Sequence, residues 1–139
     1  MEEFKKNQEL IVDIVAEGYQ GEGIAKPQGF PIFIPGALKG EQVKIKIVKL
    51  TKNHGFGKLL DIIQGSEHRV TPICPLYKRC GGCQLQHMSY QEQLVFKKNR
   101  VQECLERIGK ITDVPIMDTI GMEEPLRYRN KVQLPVGTE

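Results

Sequence analysis

Three of the four cysteines in this chain, Cys74, Cys80 and Cys83, fall within ten positions of one another in the stretch CPLYKRCGGCQLQH, which ends at His87. Thiols so close together can form a disulfide, pack inertly or ligate. A disulfide would leave one of the three unpaired and is rare in a reducing compartment. Inert thiols are usually buried among apolar groups, and Tyr77, Lys78, Arg79, Gly81 and Gly82 offer no such surroundings. Ligation fits the pattern better. Thiolates separated by two residues can face one ion or cluster, and glycines let the backbone turn tightly and direct N–H groups at the sulfurs. Lys78 and Arg79 would lower the thiol pKa values and offset the charge of a multi-thiolate site. The spacing leaves the metal open. His87, four residues after Cys83, offers a Cys3His zinc site, whereas a zinc ribbon would need a second C-x-x-C. A cubane iron–sulfur cluster takes four thiolates. Cys104 is the remaining cysteine, but its neighbours Val101, Leu105 and Ile108 predict a thiol packed in a core.

A second group of residues is cationic. Lys44, Lys46, Lys49, Lys52 and Lys58 cluster in one region, Lys97, Lys98 and Arg100 in another, and Arg127, Arg129 and Lys131 in a third. The net charge is only +3, from 20 Lys and Arg against 17 Asp and Glu, so the total permits nucleic-acid binding without indicating it. With few aromatics to stack bases, the lysines suit phosphate contact and shape recognition better than sequence readout. A solvated strand or helix face is the plain alternative for each set.

The elements that position these groups follow from periodicity. Glu9 to Tyr19 reads as a strand running into a turn at Gly18, Gly21 and Gly23. Phe30, Ile32 and Ile34 alternate before Pro35-Gly36, and Val43, Ile45 and Ile47 alternate with Lys44 and Lys46. After a turn at residues 53–57, a last strand ends at Gly65. About five short strands in so few residues predict a small closed barrel, which has no exposed edges. Residues 66–88 form a cysteine-rich loop. Ser89 and Glu92 have capping-box spacing, Leu94, Val101, Leu105 and Ile108 recur at helical spacing, and Gly109 sits where a C-terminal cap belongs, so a helix is predicted over residues 89–110. Residues 111–139 read as a connector and then a strand, LRYRNKVQLPV, on which Arg127, Arg129 and Lys131 would share one side. The N-terminus lacks a secretory signal and no apolar run approaches a bilayer span, so a cytoplasmic chain with no membrane partner is expected.

GEGIAK, FIPGALKGEQVKIKI, the C-x5-C-G-G-C-x-L-Q-H motif at Cys74 to His87, and YRNKVQLPV, in that order, resemble the N-terminal part of the RNA uracil-5 methyltransferase family, its 23S rRNA branch in particular. The resemblance implies that residues 1–65 form a TRAM domain, an OB-like RNA-binding barrel. It implies that Cys74, Cys80 and Cys83 are three ligands of a [4Fe-4S] cluster whose fourth ligand comes from a segment beyond residue 139. It also implies that the basic residues of the barrel and of the 127–131 segment meet RNA. The expected fold class is therefore mainly β, an OB-like barrel followed by the cysteine loop, one helix and the start of a mixed α/β central domain.

In that family methyl transfer uses S-adenosylmethionine, a cysteine that attacks C6 of uracil and a carboxylate base, all on a C-terminal Rossmann-like domain. No strand here leads into a glycine-rich turn and helix of that kind, so no catalytic residue is expected in this chain and catalysis is assigned to the full-length protein. A monomer bound to RNA, most specifically 23S rRNA, is the expectation. A stand-alone RNA-binding module with zinc held by Cys74, Cys80, Cys83 and His87 is the alternative, and an iron–sulfur electron carrier is a third.

Overall fold

The computed structural model describes residues 3–134 and 136–138. Five strands close into a barrel: β1 (Glu9–Glu17), β2 (Gly23–Ala25), β3 (Ile32–Ile34), β4 (Gln42–Leu50) and β5 (Gly55–Gln64). Around the barrel the order is β1-β2-β3-β5-β4, with β4 returning to β1. Neighbours run antiparallel except β3 and β5, whose short parallel pairing seals the ring.

The period-two alternation explains why this segment folds as it does. Val43, Ile45 and Ile47 of β4 are wholly buried, while Lys44 and Lys46 between them stand outside. Val12 and Ile14 from β1, Ala25 from β2, and Ile32 and Ile34 from β3 complete the core, with Phe30 packed against it. The short strand β2 begins at Gly23, the last glycine of the stretch read as a turn. Gly23 is required there because a Cβ would come within 2.8 Å of the Ala37 Cβ and 2.9 Å of the Ile14 Cγ2.

Beyond the barrel come a one-turn helix, α1 (Tyr77–Cys80), and a long helix, α2 (Tyr90–Glu103), which continues as a π-helical stretch over Cys104–Ile108 and is capped at Gly109. Ser89 is the N-cap as expected, its Oγ accepting from the Glu92 N–H at 3.4 Å. The apolar stripe needs correction. Val101 and Ile108 are 52% and 81% exposed, and Cys104 is exposed rather than packed in a core. The helix docks through a different side, on which Phe96 joins Leu38, Met88 and Leu85 in a second small core. The connector covers the Leu94 side, where the Thr119 hydroxyl donates to the Leu94 carbonyl and the Met122 N–H donates to the Tyr90 hydroxyl, both at 2.8 Å.

The strand expected over residues 126–136 is not formed among the described residues, and Pro135 lies outside them. A β-strand forms only where a neighbouring strand pairs with its N–H and C=O groups, and among the described residues no such ladder reaches this segment. Arg127 has a φ of 56°, which breaks the alternation that would have set Arg127, Arg129 and Lys131 on one side. Among the described residues no helix is long and apolar enough to cross a membrane.

Candidate nucleic-acid interface

The cysteine loop is tied to the barrel at its base. An isolated bridge joins Arg69 to Met88, the Val70 N–H donates to the His87 carbonyl at 3.0 Å, and the Ser89 N–H donates to that of His68 at 2.8 Å. From this pinch Arg69 reaches into the barrel. Its Nε and Nη2 donate to Glu41 Oε1 and Oε2 at 2.6 and 2.8 Å, and Nη2 also donates to the Gly36 carbonyl at 2.6 Å. The Glu41 side chain is fully buried and also accepts from the N–H groups of Leu38 and Ser66. Burial pushes the Glu41 carboxyl up, but Arg69 and the two N–H groups outweigh it and hold the pKa below the ordinary value. A buried, fully partnered carboxylate of this kind fixes where the loop leaves the barrel.

Inside the loop, the Tyr77 hydroxyl donates to the Gln84 carbonyl at 2.8 Å and lies 2.7 Å from His87 Nδ1. His87 is 3% exposed. Burial, reinforced by the charge of Arg69, lowers its pKa to about 4, so the ring is neutral at pH 7. Its Nε2 is buried without a hydrogen-bond partner in the protein. The Cys74 N–H donates to the Gln86 side-chain oxygen at 3.1 Å, which ties the two ends of the motif together.

All four cysteines are free thiols, with Cys80 and Cys83 exposed and Cys74 partly so. In kind, the donors suit a thiophilic metal. Gly81 takes the left-handed conformation at φ 72°, and a Cβ on Gly82 would sit 3.3 Å from the Cys80 sulfur. In arrangement they do not converge. Among the described residues no three His, Cys, Asp or Glu side chains come together closely enough to hold an ion. The zinc quartet of Cys74, Cys80, Cys83 and His87 is therefore not assembled.

The lysines of the barrel divide into two kinds. Lys44 is neutralised by Glu9 at 2.7 Å, a contact that keeps its ammonium more firmly protonated. Lys46 faces Lys58 directly across the β4–β5 ladder, and Lys49 faces Phe56. Among the described residues neither Lys46, Lys49 nor Lys58 has a carboxylate within salt-bridge distance, and Lys52 lies exposed at the tip of the hairpin. Like charges placed directly opposite on a sheet are unfavourable in water but suit an anionic ligand. On α2 two of the three cations serve the structure instead: Lys98 pairs with Asp118 at 2.7 Å, and Arg100 lies over the Tyr19 ring and donates to the Tyr19 carbonyl, while Lys97 is exposed. Arg127, Arg129 and Lys131 are exposed, and Arg129 is held more firmly protonated by Tyr128 first and by the nearby Cys83.

Sequence reasoning missed an aromatic group on the outside of the barrel. Phe33 of β3 pairs with Phe56 of β5, their ring centroids 5.8 Å apart. His54, from the β4–β5 turn, stands edge-on to both at 5.7 and 5.2 Å. Lys49 Nζ lies 5.9 Å from the Phe56 centroid. The signal was present, since Phe33 alternates with Ile32 and Ile34, and Phe56 lies between the inward Gly55 and Gly57. Only the parallel pairing of β3 with β5 brings the two together.

Comparison with known proteins gives a consistent result. The TRAM domain family matches residues 3–60. An RNA methyltransferase of Clostridium acetobutylicum, itself uncharacterized, is 56% identical over 96% of this chain and 29% of its own length. Similarly named proteins of Halalkalibacterium halodurans and Clostridium tetani are each 53% identical, over 94% and 97% of this chain. The chain spans 29% of the length of each of these relatives.

Proposed function

We propose, from the match of residues 3–60 to the TRAM domain family and the similarity of nearly the whole chain to bacterial proteins named RNA methyltransferases, that it recruits RNA for a uracil-5 methyltransferase dependent on S-adenosylmethionine. The observation that carries this reading is the barrel's outer face, where Lys46, Lys49 and Lys58 project without carboxylate partners beside solvent-facing aromatics. Such a face meets a phosphate backbone. The Arg69–Glu41 clamp holds the cysteine loop in a fixed place beside the barrel, so RNA on the barrel and the remainder of the enzyme share one frame. Catalysis belongs to the full-length protein, where the target uridine leaves its stack to be reached.

The ligand class proposed for Cys74, Cys80 and Cys83 is a [4Fe-4S] cluster, with a fourth thiolate from a later segment of the full-length protein. Three free thiols close in sequence, flanking cations and the Gly81-Gly82 turn support it, although in this structure the thiols do not converge on one point. The cluster's contribution would be structural, because methyl transfer to uracil C5 through a thiolate adduct requires no electron transfer. The substrate proposed is 23S rRNA.

The deciding experiment gives the full-length protein S-adenosylmethionine labelled in its methyl group, with 23S rRNA or transfer RNA, and analyses the nucleosides. Label in 5-methyluridine of 23S rRNA is expected. Label only in transfer RNA would replace the substrate, and label in another nucleoside would overturn the uracil-5 reading. Iron and sulfide in anaerobically purified full-length protein, lost in Cys80→Ser, is the expected companion result. Stoichiometric zinc would overturn the cluster.

A further inference from the structure

Phe33, His54 and Phe56 contribute to neither hydrophobic core of the chain. The barrel is closed and filled by the aliphatic side chains of the inward face, so these three rings add nothing to it. They lie together on the outside, partly exposed, at the seam where β3 meets β5. A cluster of three rings in water is a poor use of apolar surface unless something covers it.

The charges nearby say what kind of molecule would do so. Lys49 stands over the edge of the group. Lys46 and Lys58 oppose each other in the next outward row, two residues along β5 from Phe56. Along a strand that step is about 7 Å, within the reach of one nucleotide from base to phosphate. Among the described residues no carboxylate lies within salt-bridge distance of the three ammonium groups: Glu9, the cross-strand partner of Lys46 on β1, turns its carboxylate to the neighbouring Lys44 at 2.7 Å. Aromatic planes beside unpaired cations are the combination that binds unpaired nucleotides, the bases stacking and the backbone tracking the charges. A duplex hides its base faces and can use only the cations.

We propose that Phe33, Phe56 and His54, with Lys46, Lys49 and Lys58, form a stacking site for one or two unpaired bases of single-stranded RNA. The site rests on the RNA-binding reading above and sharpens it: the barrel engages loops or single strands rather than helical RNA. Phe33 and Phe56 supply the stacking surface, His54 buttresses both rings edge-on, and the lysines hold the flanking phosphates.

The test is fluorescence anisotropy on the 139-residue chain with a labelled ten-nucleotide single strand and a blunt RNA duplex of the same length. Phe56→Leu and the double variant F33L/F56L keep apolar bulk and lose the ring. We expect the double variant to bind the single strand about tenfold more weakly or worse, and the duplex within twofold of wild type. Lys58→Gln should instead weaken both RNAs and reduce the salt slope by about one. Should the leucine variants unfold, wild-type protein titrated into single strands carrying 2-aminopurine decides the question, because stacking quenches that base. Single-strand binding unchanged by the loss of both rings, or 2-aminopurine fluorescence unquenched on binding, would overturn the stacking site and leave RNA binding standing. Wild-type protein that binds neither RNA would overturn the RNA-binding reading and this site with it.

Discussion

Replacing Arg69 with methionine isolates the clamp between loop and barrel. The substitution keeps most of the aliphatic stem and removes three hydrogen bonds, two to Glu41 and one to the Gly36 carbonyl. Glu41 stays buried with only the Leu38 and Ser66 N–H groups as partners. Breaking a buried pair from one side costs about 3–5 kcal/mol, and the two surviving N–H bonds argue for the lower end. At roughly 4 °C per kcal/mol for a domain of this size, the melting temperature at pH 7 should fall by about 12 °C. The orphaned carboxylate can escape part of the penalty by taking a proton, so the deficit should shrink when the same melts are run near pH 5. The double variant R69M/E41Q should recover part of the loss, because it leaves no buried charge. Circular dichroism melts and urea titrations at the two pH values supply all four numbers. A loss below about 1 kcal/mol, or a deficit independent of pH, would refute the claim that Glu41 is ionised and held by Arg69.

The same network sets the acid limit of the fold. His87 has a folded pKa of about 4 against an unfolded value near 6.5, so the unfolded chain binds the extra proton and stability falls as pH drops from 6.5 towards 4, by at most about 3 kcal/mol. Glu41, with its pKa depressed in the fold, adds a further loss below the ordinary carboxylate pKa, and urea midpoints between pH 7.5 and 3.5 should show both. Gly23→Ala should lower stability by about 1–3 kcal/mol through overpacking against Ala37 and Ile14, measured by chemical denaturation, whereas Gly40→Ala meets no neighbour and is strained only by its positive φ of 87°. Lys44→Gln should change RNA affinity less than Lys46→Gln, because Glu9 already neutralises Lys44, and equal effects in a salt titration would refute that division.

What was legible in the sequence follows a physical boundary. The inward-facing Val43, Ile45 and Ile47 and the Ser89 cap are local patterns, written into adjacent residues, and the structure follows them. The barrel was foreseeable because short alternating strands have little other way to hide their edges. Closure was expected, but the place of β2 in it was not, since that strand is only three residues long and its Gly23 looks like turn chemistry until Ala37 is seen to press against it. The side of α2 that docks was also hidden: periodicity marked Leu94 and Val101, but docking is decided by where Leu38 lies, far off in sequence. Of the candidate site, the lysines could be found from alternation. Their sorting into neutralised and free could not, because Glu9 is brought to Lys44 by strand pairing. The aromatic group joins residues 33, 54 and 56 across a parallel pair, a contact no local pattern announces. The segment from Arg127 to Lys131 shows the converse, a local alternation with no neighbouring strand to make it a sheet.

The parallel seam has a consequence for exchange and folding. Only two residue pairs, Ile32 with Gly55 and Phe33 with Phe56, join β3 to β5, whereas β4 and β5 pair along nearly their full length as a hairpin. A hairpin forms from near neighbours, while the seam must close a loop of some twenty residues first, so it should be the late event in folding and the early one in opening. Amide protons along β3 should then exchange with solvent sooner than those of the β4–β5 ladder. A base lying across Phe33 and Phe56 would staple that seam. RNA would then slow exchange most at the weakest point of the ring, and the barrel would be a more rigid object when loaded than when free.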